Sequence, residues 1–185
     1  IVPRTKAREF RSANDFWKIY DRILSEVFIM QNTNQYAGRK VVLVDSHDNK
    51  LGLVDIWEAH KNPGLLHRAI SVILWRKSGS DVEILIQQRS RQKPLWPMYW
   101  SNTVCTHPFD NEGYIDCAVR RLKDELGIIY DKTILVVSDR MQYQADYSDK
   151  LSENELDTII IGEFHGKWTC NPTEAADAKW VSKSS

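Results

Sequence analysis

Three histidines, two glutamates and one cysteine stand in a pattern suited to holding a metal and moving a proton. His60 and His67 bracket the segment AHKNPGLLH, and His107 lies in SNTVCTHP. Glu153 and Glu155 alternate in SENELD, directly ahead of the apolar residues of LDTIII. Alternate residues of a strand share a face, so both carboxylates project the same way. Two such charges repel unless a cation lies between them. Three imidazoles and two carboxylates form a mixed nitrogen and oxygen donor set that accepts manganese, magnesium, iron or zinc. Cys105 stands two residues before His107, so on an extended segment thiol and imidazole also face one way. A thiol beside a metal or another cation can have its pKa lowered and so exchange protons near neutral pH.

Each feature has an ordinary alternative. A lone histidine is usually a surface or hydrogen-bonded residue, an alternating acidic pair a solvated strand face, and a cysteine a buried structural side chain. His47, His165, Cys117 and Cys170 take those readings. A basic constellation stands nearby: Arg89, Arg91 and Lys93 in QQRSRQK, with Arg120 and Arg121 further on. Such runs are usually solvated. Here RSRQKPLWPMYW joins the cations to large aromatics beside the Cys/His segment, a mixture suited to gripping a phosphate while enclosing an apolar tail.

The elements that must position these groups are legible as periodicity. Residues 12–31 place Phe16, Ile19, Tyr20, Ile23, Leu24, Val27 and Phe28 at helical spacing. A polar loop follows, then β-rich runs at 41–45, 50–57, 69–75 and 83–89. From residue 111 to 128 the spacing of Ile115, Ala118, Val119 and Leu122 predicts a helix ended by Gly127. Further β-like runs stand at 134–138, 155–164 and 178–181. Strands on both sides of one strong helix predict an α/β (α+β) domain, a mixed β-sheet packed between α-helices. A helical extension over 1–40 precedes a domain over 41–185.

The 185 residues suit one domain, and zero formal charge gives no general attraction to nucleic acid or a membrane surface. Any anion must be met by a local cluster of cations. Three cysteines form no paired framework, which favours a reducing compartment, with the cytoplasm as the expectation. No apolar run reaches the roughly 18 residues of a membrane span. The partners expected are therefore a small molecule, neither nucleic acid nor membrane, with the chain a monomer or a homodimer.

Taken in order, LLHRAISV, ILIQQRSRQK, WSNTVCTHP, RRLKDELGI and ENELD resemble type I isopentenyl diphosphate isomerase, a family of the Nudix fold. The likeness runs from about Val41 to Ser182. It implies interconversion of isopentenyl and dimethylallyl diphosphate in isoprenoid biosynthesis, through a tertiary carbocation. It implies a metal site of His60, His67, His107, Glu153 and Glu155, holding manganese or magnesium, with zinc as a further option. Cys105 and Glu155 become proton donor and acceptor on opposite faces of the allylic unit, with Tyr143 beside Glu155. Glu125 becomes the ligand of a magnesium ion that bridges to the substrate diphosphate, and Arg89, Lys93 and Arg121 hold that diphosphate.

The chain departs from the family in two places. Ile56 stands where a lysine usually precedes the first histidine by four residues. The family also continues with a helical segment containing a tryptophan in a Thr-Pro-Trp context, and none of the seven tryptophans here has that context. The alternatives are a Nudix hydrolase of nucleoside diphosphate derivatives and a non-catalytic Nudix-like binding module. The hydrolase signature laid on residues 106–128 keeps Glu112 and Glu125. It puts Thr106 at the first glycine, Arg121 at the first glutamate of its REUxEE element and Asp124 at the second. An arginine inside that carboxylate cluster removes an anion and adds a cation, which argues against metal-activated water and for isomerisation.

Overall fold

The computed structural model describes Tyr36 and residues 38–182. The backbone divides into two compact units, Ile1–Ala37 and Gly38–Ser185. The helix expected over 12–31 lies outside the described residues.

The second unit opens with β1 (Lys40–Val44) and β2 (Lys50–Asp55), then a short helix α1 (Ile56–His60). The long strands β3 (His67–Ser78) and β4 (Asp81–Arg89) are followed by the short β5 (Trp100–Ser101) and β6 (Val104–Thr106). Helix α2 (Tyr114–Leu126) leads to β7 (Val136–Asp146), β8 (Ser152–Glu163) and β9 (Ala175–Ser182). Strand β3 is the hub of one mixed sheet. It pairs antiparallel with β1, β4 and β6, and parallel with β8, from His67 beside Glu155 to Trp75 beside Glu163. Strand β7 extends the sheet beyond β8, and β5 and β9 extend it beyond β4.

One face of the sheet is core. Ile70, Val72 and Leu74 of β3, Leu85, Val104 and Ile160 pack with Cys117, Ala118, Leu122 and Leu126 of α2. Helix α2 stops at Gly127, whose φ of 62° is open to glycine. Its N–H closes onto the Lys123 carbonyl at 2.9 Å, and Ile128 N–H closes onto Leu122 at 3.1 Å. Burial of the α2 stripe, at roughly 25 cal/mol per Å² of apolar surface, anchors the sheet from this side. The opposite side chains of the same strands are then free to build a site.

The helix and most strands fall where the periodicity puts them. Residues 56–60 depart: they form α1 rather than the end of a strand, because the Asp55 side chain accepts the Trp57 N–H at 2.9 Å and caps a helical turn. Strand β7 runs on through the polar residues 139–146. It is an edge strand with its side chains largely in solvent, so no apolar alternation marks it.

Candidate active site

The three histidines come from three segments and meet at one end of β3. His67 opens β3. His60 ends α1, and His107 follows β6. Ring centroids of His60 and His67 are 4.8 Å apart, those of His67 and His107 4.9 Å, and those of His60 and His107 5.3 Å. Glu155 is the register partner of His67 across the parallel β3–β8 pair. Ligand atoms of His60, His67, His107 and Glu155 lie within 4.8 Å of one another.

Backbone carbonyls orient two of these rings. His60 Nδ1 lies 2.7 Å from the Ile56 carbonyl oxygen, and His67 Nδ1 2.7 Å from that of Leu65. A carbonyl only accepts, so each Nδ1 carries a proton and each ring turns its Nε2 toward the cluster. Ile56 therefore serves the site through its backbone. The loop between these histidines is pinned from β8: Gly64 has φ 81°, and a Cβ there would meet Ser152 Oγ at 2.9 Å and Asn154 Cβ at 3.1 Å. Asn154 Nδ2 donates to the Gly64 carbonyl at 3.1 Å, and Gln144 Nε2 donates to that of Pro63 at 2.7 Å.

Protonation states suit a cation. Burial, with the neighbouring His67, depresses His60 to about 4, and burial depresses His107 to about 3 against the pull of Glu155. Burial opposes ionisation of Glu155, but the hydrogen bond with His107 and the nearness of His67 outweigh it and hold this carboxyl well below its ordinary range. His107 Nε2 lies 2.8 Å from Glu155 Oε1 and 3.2 Å from His67 Nε2. Converging lone pairs beside a buried carboxylate form a donor set that fits a divalent cation.

Strand β8 carries Glu153, Glu155 and Asp157 on one face, at alternate positions. Across β7, Tyr143 is the partner of Glu155, and its hydroxyl lies 2.5 Å from Glu155 Oε2 and 2.9 Å from Glu153 Oε2. Burial and the nearby carboxylates raise Tyr143, so it keeps its proton. One phenol proton serves one carboxylate. Burial and the charge of Glu155 lift Glu153 to about 7, so near neutrality Glu153 takes up a proton of its own and Glu155 stays ionised.

Beside this row lies a cavity of about 350 Å³. Cys105, Tyr143, Glu153 and Asp157 form its reactive wall, while Trp96, Tyr99, Trp100 and Met141 supply apolar and aromatic surface and Arg89 a cation. The aromatic wall exists because the chain folds back on β4. Arg89 N–H donates to the Tyr99 carbonyl at 2.8 Å, Met98 N–H to that of Arg89 at 3.0 Å, and Arg89 Nε to that of Leu95 at 3.0 Å. The return holds Trp96 at φ 43° and Met98 at φ 66°, strained values for bulky residues.

Cys105 lies among carboxylates, which act on the thiol in the opposite sense to a neighbouring cation. Burial, then the charges of Glu155, Asp157 and Glu153, raise it well above its ordinary value, with Arg89 a weaker counterweight. The sulfur carries its proton, the state an acid requires.

The other residues of the sequence reading have different surroundings. Arg89 reaches the cavity. Lys93 and Arg121 are buried and absent from the cavity lining, both bonded to Glu174, Arg121 at 2.8 Å. Fully buried Glu125 accepts from Arg121 at 2.7 Å through Oε1 and from Gln87 Nε2 at 2.8 Å through Oε2. Each of its oxygens thus has a donor of its own, and each keeps further acceptor capacity. Glu153 lies beside Tyr143 and outside the four-residue donor cluster. Three participants had no place in the sequence reading: Ser71, Asp157 and Glu174. The first two stand in apolar strands, although Asp157 continues the alternation of 153 and 155. Glu174 is an isolated carboxylate in a loop.

The NUDIX domain model matches residues 65–185. The chain is 38% identical over 142 residues to isopentenyl-diphosphate Delta-isomerase 2 of Aromatoleum aromaticum, covering 77% of this chain and 71% of that protein. It is 42% identical to the isopentenyl-diphosphate Delta-isomerase of Dinoroseobacter shibae, covering 72% and 73%. Among solved structures, a Deinococcus radiodurans protein superposes with a TM-score of 0.56 at 15% identity, covering 77% of this chain and 83% of that one. The NUDIX domain of Shewanella oneidensis NrtR gives 0.51 at 11% identity, covering 65% and 73%. At those identities the likeness is one of fold.

Proposed function

Since the chain belongs to the isopentenyl-diphosphate Delta-isomerases of the NUDIX domain family, we propose that residues 41–185 interconvert isopentenyl and dimethylallyl diphosphate. The observation that carries this reading is a largely apolar cavity bearing a half-buried thiol that keeps its proton and flanked by an ionised carboxylate. An allylic shift needs an acid and a base around one small hydrocarbon, with water kept away from the carbocation.

Cys105 gives its proton to the terminal alkene carbon, leaving a tertiary cation on the neighbouring carbon. Glu155 takes a proton from the carbon on the other side of that centre, and the double bond re-forms one position along. One proton enters and one leaves. Tyr143 donates to Glu155 Oε2 and aims the carboxylate. Trp96, Tyr99 and Trp100 shield the cation and offer it π faces. Arg89 holds the anionic end. His60, His67, His107 and Glu155 would hold a divalent cation, manganese or magnesium. When bound, it supplies a fixed positive charge that anchors the Glu155 carboxylate. Lys93 and Arg121 reach the diphosphate only by exchanging Glu174 for it. The Arg121–Glu125 pair closes the carboxylate cluster that hydrolysis of a nucleoside diphosphate would need.

The test is turnover of isopentenyl diphosphate in heavy water with magnesium and manganese, following deuterium by NMR. Deuterated dimethylallyl diphosphate, absent with Cys105→Ala, is expected. A folded, metal-loaded protein that exchanges no deuterium would sink the proposal.

A further inference from the structure

Asp157 is a buried carboxyl without an evident structural purpose. It is 3% exposed and lines the cavity beside Cys105. Among the described residues no cation pairs with it, and its Oδ1 has no hydrogen-bond partner. A carboxyl in that condition costs stability, and an apolar side chain would fill the same place without the cost. Its one hydrogen bond is accepted at Oδ2 from Ser71 Oγ, 2.6 Å away. Ser71 is in turn the register partner of Cys105 across β3 and β6, with Ser71 Oγ 3.9 Å from Cys105 Sγ.

A serine has one hydroxyl hydrogen. Of its two neighbours the carboxyl is nearer and the stronger acceptor, so the hydrogen goes to Asp157. The Ser71 oxygen then turns its lone pairs to Cys105, and the thiol S–H becomes the donor across the 3.9 Å contact, within the longer reach of sulfur. Without Asp157 the hydroxyl is free to rotate and point its hydrogen at the sulfur, turning the thiol proton elsewhere.

We infer that Asp157 and Ser71 are positioning residues: Asp157 fixes the rotor of Ser71, and Ser71 fixes the direction of the Cys105 S–H bond. The inference deepens the proposed isomerase reading and rests on it for the use made of that proton. The bond direction itself is measurable without substrate.

The test uses the full chain loaded with manganese and reads the Cys105 S–H stretching band as an infrared difference against Cys105→Ala. Ser71→Ala and Asp157→Ala are each expected to move the band to higher frequency, as a hydrogen-bonded S–H is freed. They are expected to lower kcat roughly tenfold, the effect of about one hydrogen bond, with KM for isopentenyl diphosphate unchanged. The double variant should be no slower than either single one, because both break the same chain. Ser71→Thr keeps the hydroxyl and Asp157→Asn keeps an acceptor, so each should restore band and kcat together. These two variants preserve shape and guard against misfolding of the alanine forms. An unmoved band in both alanine variants overturns the inference. A band restored in Asp157→Asn while kcat stays low also overturns it, since Asp157 would then act by charge. A protein that shows the band shift yet turns over no isopentenyl diphosphate would sink the isomerase reading and leave the hydrogen-bond chain standing.

Discussion

At the scale of single residues, the site works by setting protonation states against each other. The burial that depresses His60 and His107 raises Cys105, and Glu155 escapes the same push because two imidazoles address it. Tyr143 is the link most open to trial. Tyr143→Phe removes a donor to a charged, buried oxygen, a bond worth roughly 1.5–3 kcal/mol, so kcat should fall roughly 10- to 100-fold with little change in KM. Steady-state kinetics with isopentenyl diphosphate would decide it; a KM effect alone would make Tyr143 a mere wall of the cavity. Much of this was legible beforehand: the spacing of Cys105 and His107, and of Glu153 and Glu155, needs only the two-residue period of a strand. Asp157 obeys the same period but was hidden by reading LDTIII as one apolar run. Ser71 could not be found, because a serine in a strand carries no mark of what it faces.

Elements position these residues through two devices, a pinned loop and a buried ion cluster. Gly64→Ala would place a Cβ 2.9 Å from Ser152 Oγ at a φ of 81°, costing about 1–3 kcal/mol. A lowered thermal midpoint and weaker manganese binding should appear together, since the same loop delivers His67; a midpoint drop alone would separate the loop from the site. The second device is Glu174. Burial opposes its charge, but Lys93 and Arg121 overcome this and hold its pKa below the ordinary value. A depressed carboxyl contributes stability that is present above its unfolded pKa, about 4.3, and lost as pH falls through the lower folded value. Glu174→Gln should therefore be less stable than the parent at neutral pH, with the gap closing in acid, as thermal melts along a pH series would show. A gap that stays constant would refute the ion-cluster account. Here the sequence misled in an instructive way. The positive charges were visible, but their partner sits some fifty residues beyond Arg121, so Lys93 and Arg121 read as open to a ligand. The turn at 56–60 was missed for a related reason: its cap is a single aspartate at the end of an apolar run.

For the molecule as a whole, the donor cluster ties α1, β3, the segment after β6, and β8 into one place. A cation bound there stabilises the folded form by mass action. Chelation should lower the thermal midpoint of the parent, added manganese should raise it in proportion to log concentration, and His107→Ala should flatten both responses. A midpoint indifferent to chelator would argue against a filled site. The overall architecture was well marked in the sequence, because a sheet with one face on α2 leaves apolar periodicity in nearly every element. Strand β7, an edge whose side chains meet water, was read too short, and the brief β5 and β6 carry too few residues to show a period.

The parallel pairing of β3 with β8 also sets an order of events. His60, His67 and His107 are made early and can gather around the β3–β6 pair, but Glu155 joins only when β8 slides in beside β3, closing a loop of nearly ninety residues. Such long closures come late in folding. The histidines therefore wait, while the residues from 108 to 155 are made, as an incomplete claw. Premature capture of a stray metal by that claw would be a hazard peculiar to the nascent chain, and the arrival of one strand ends it.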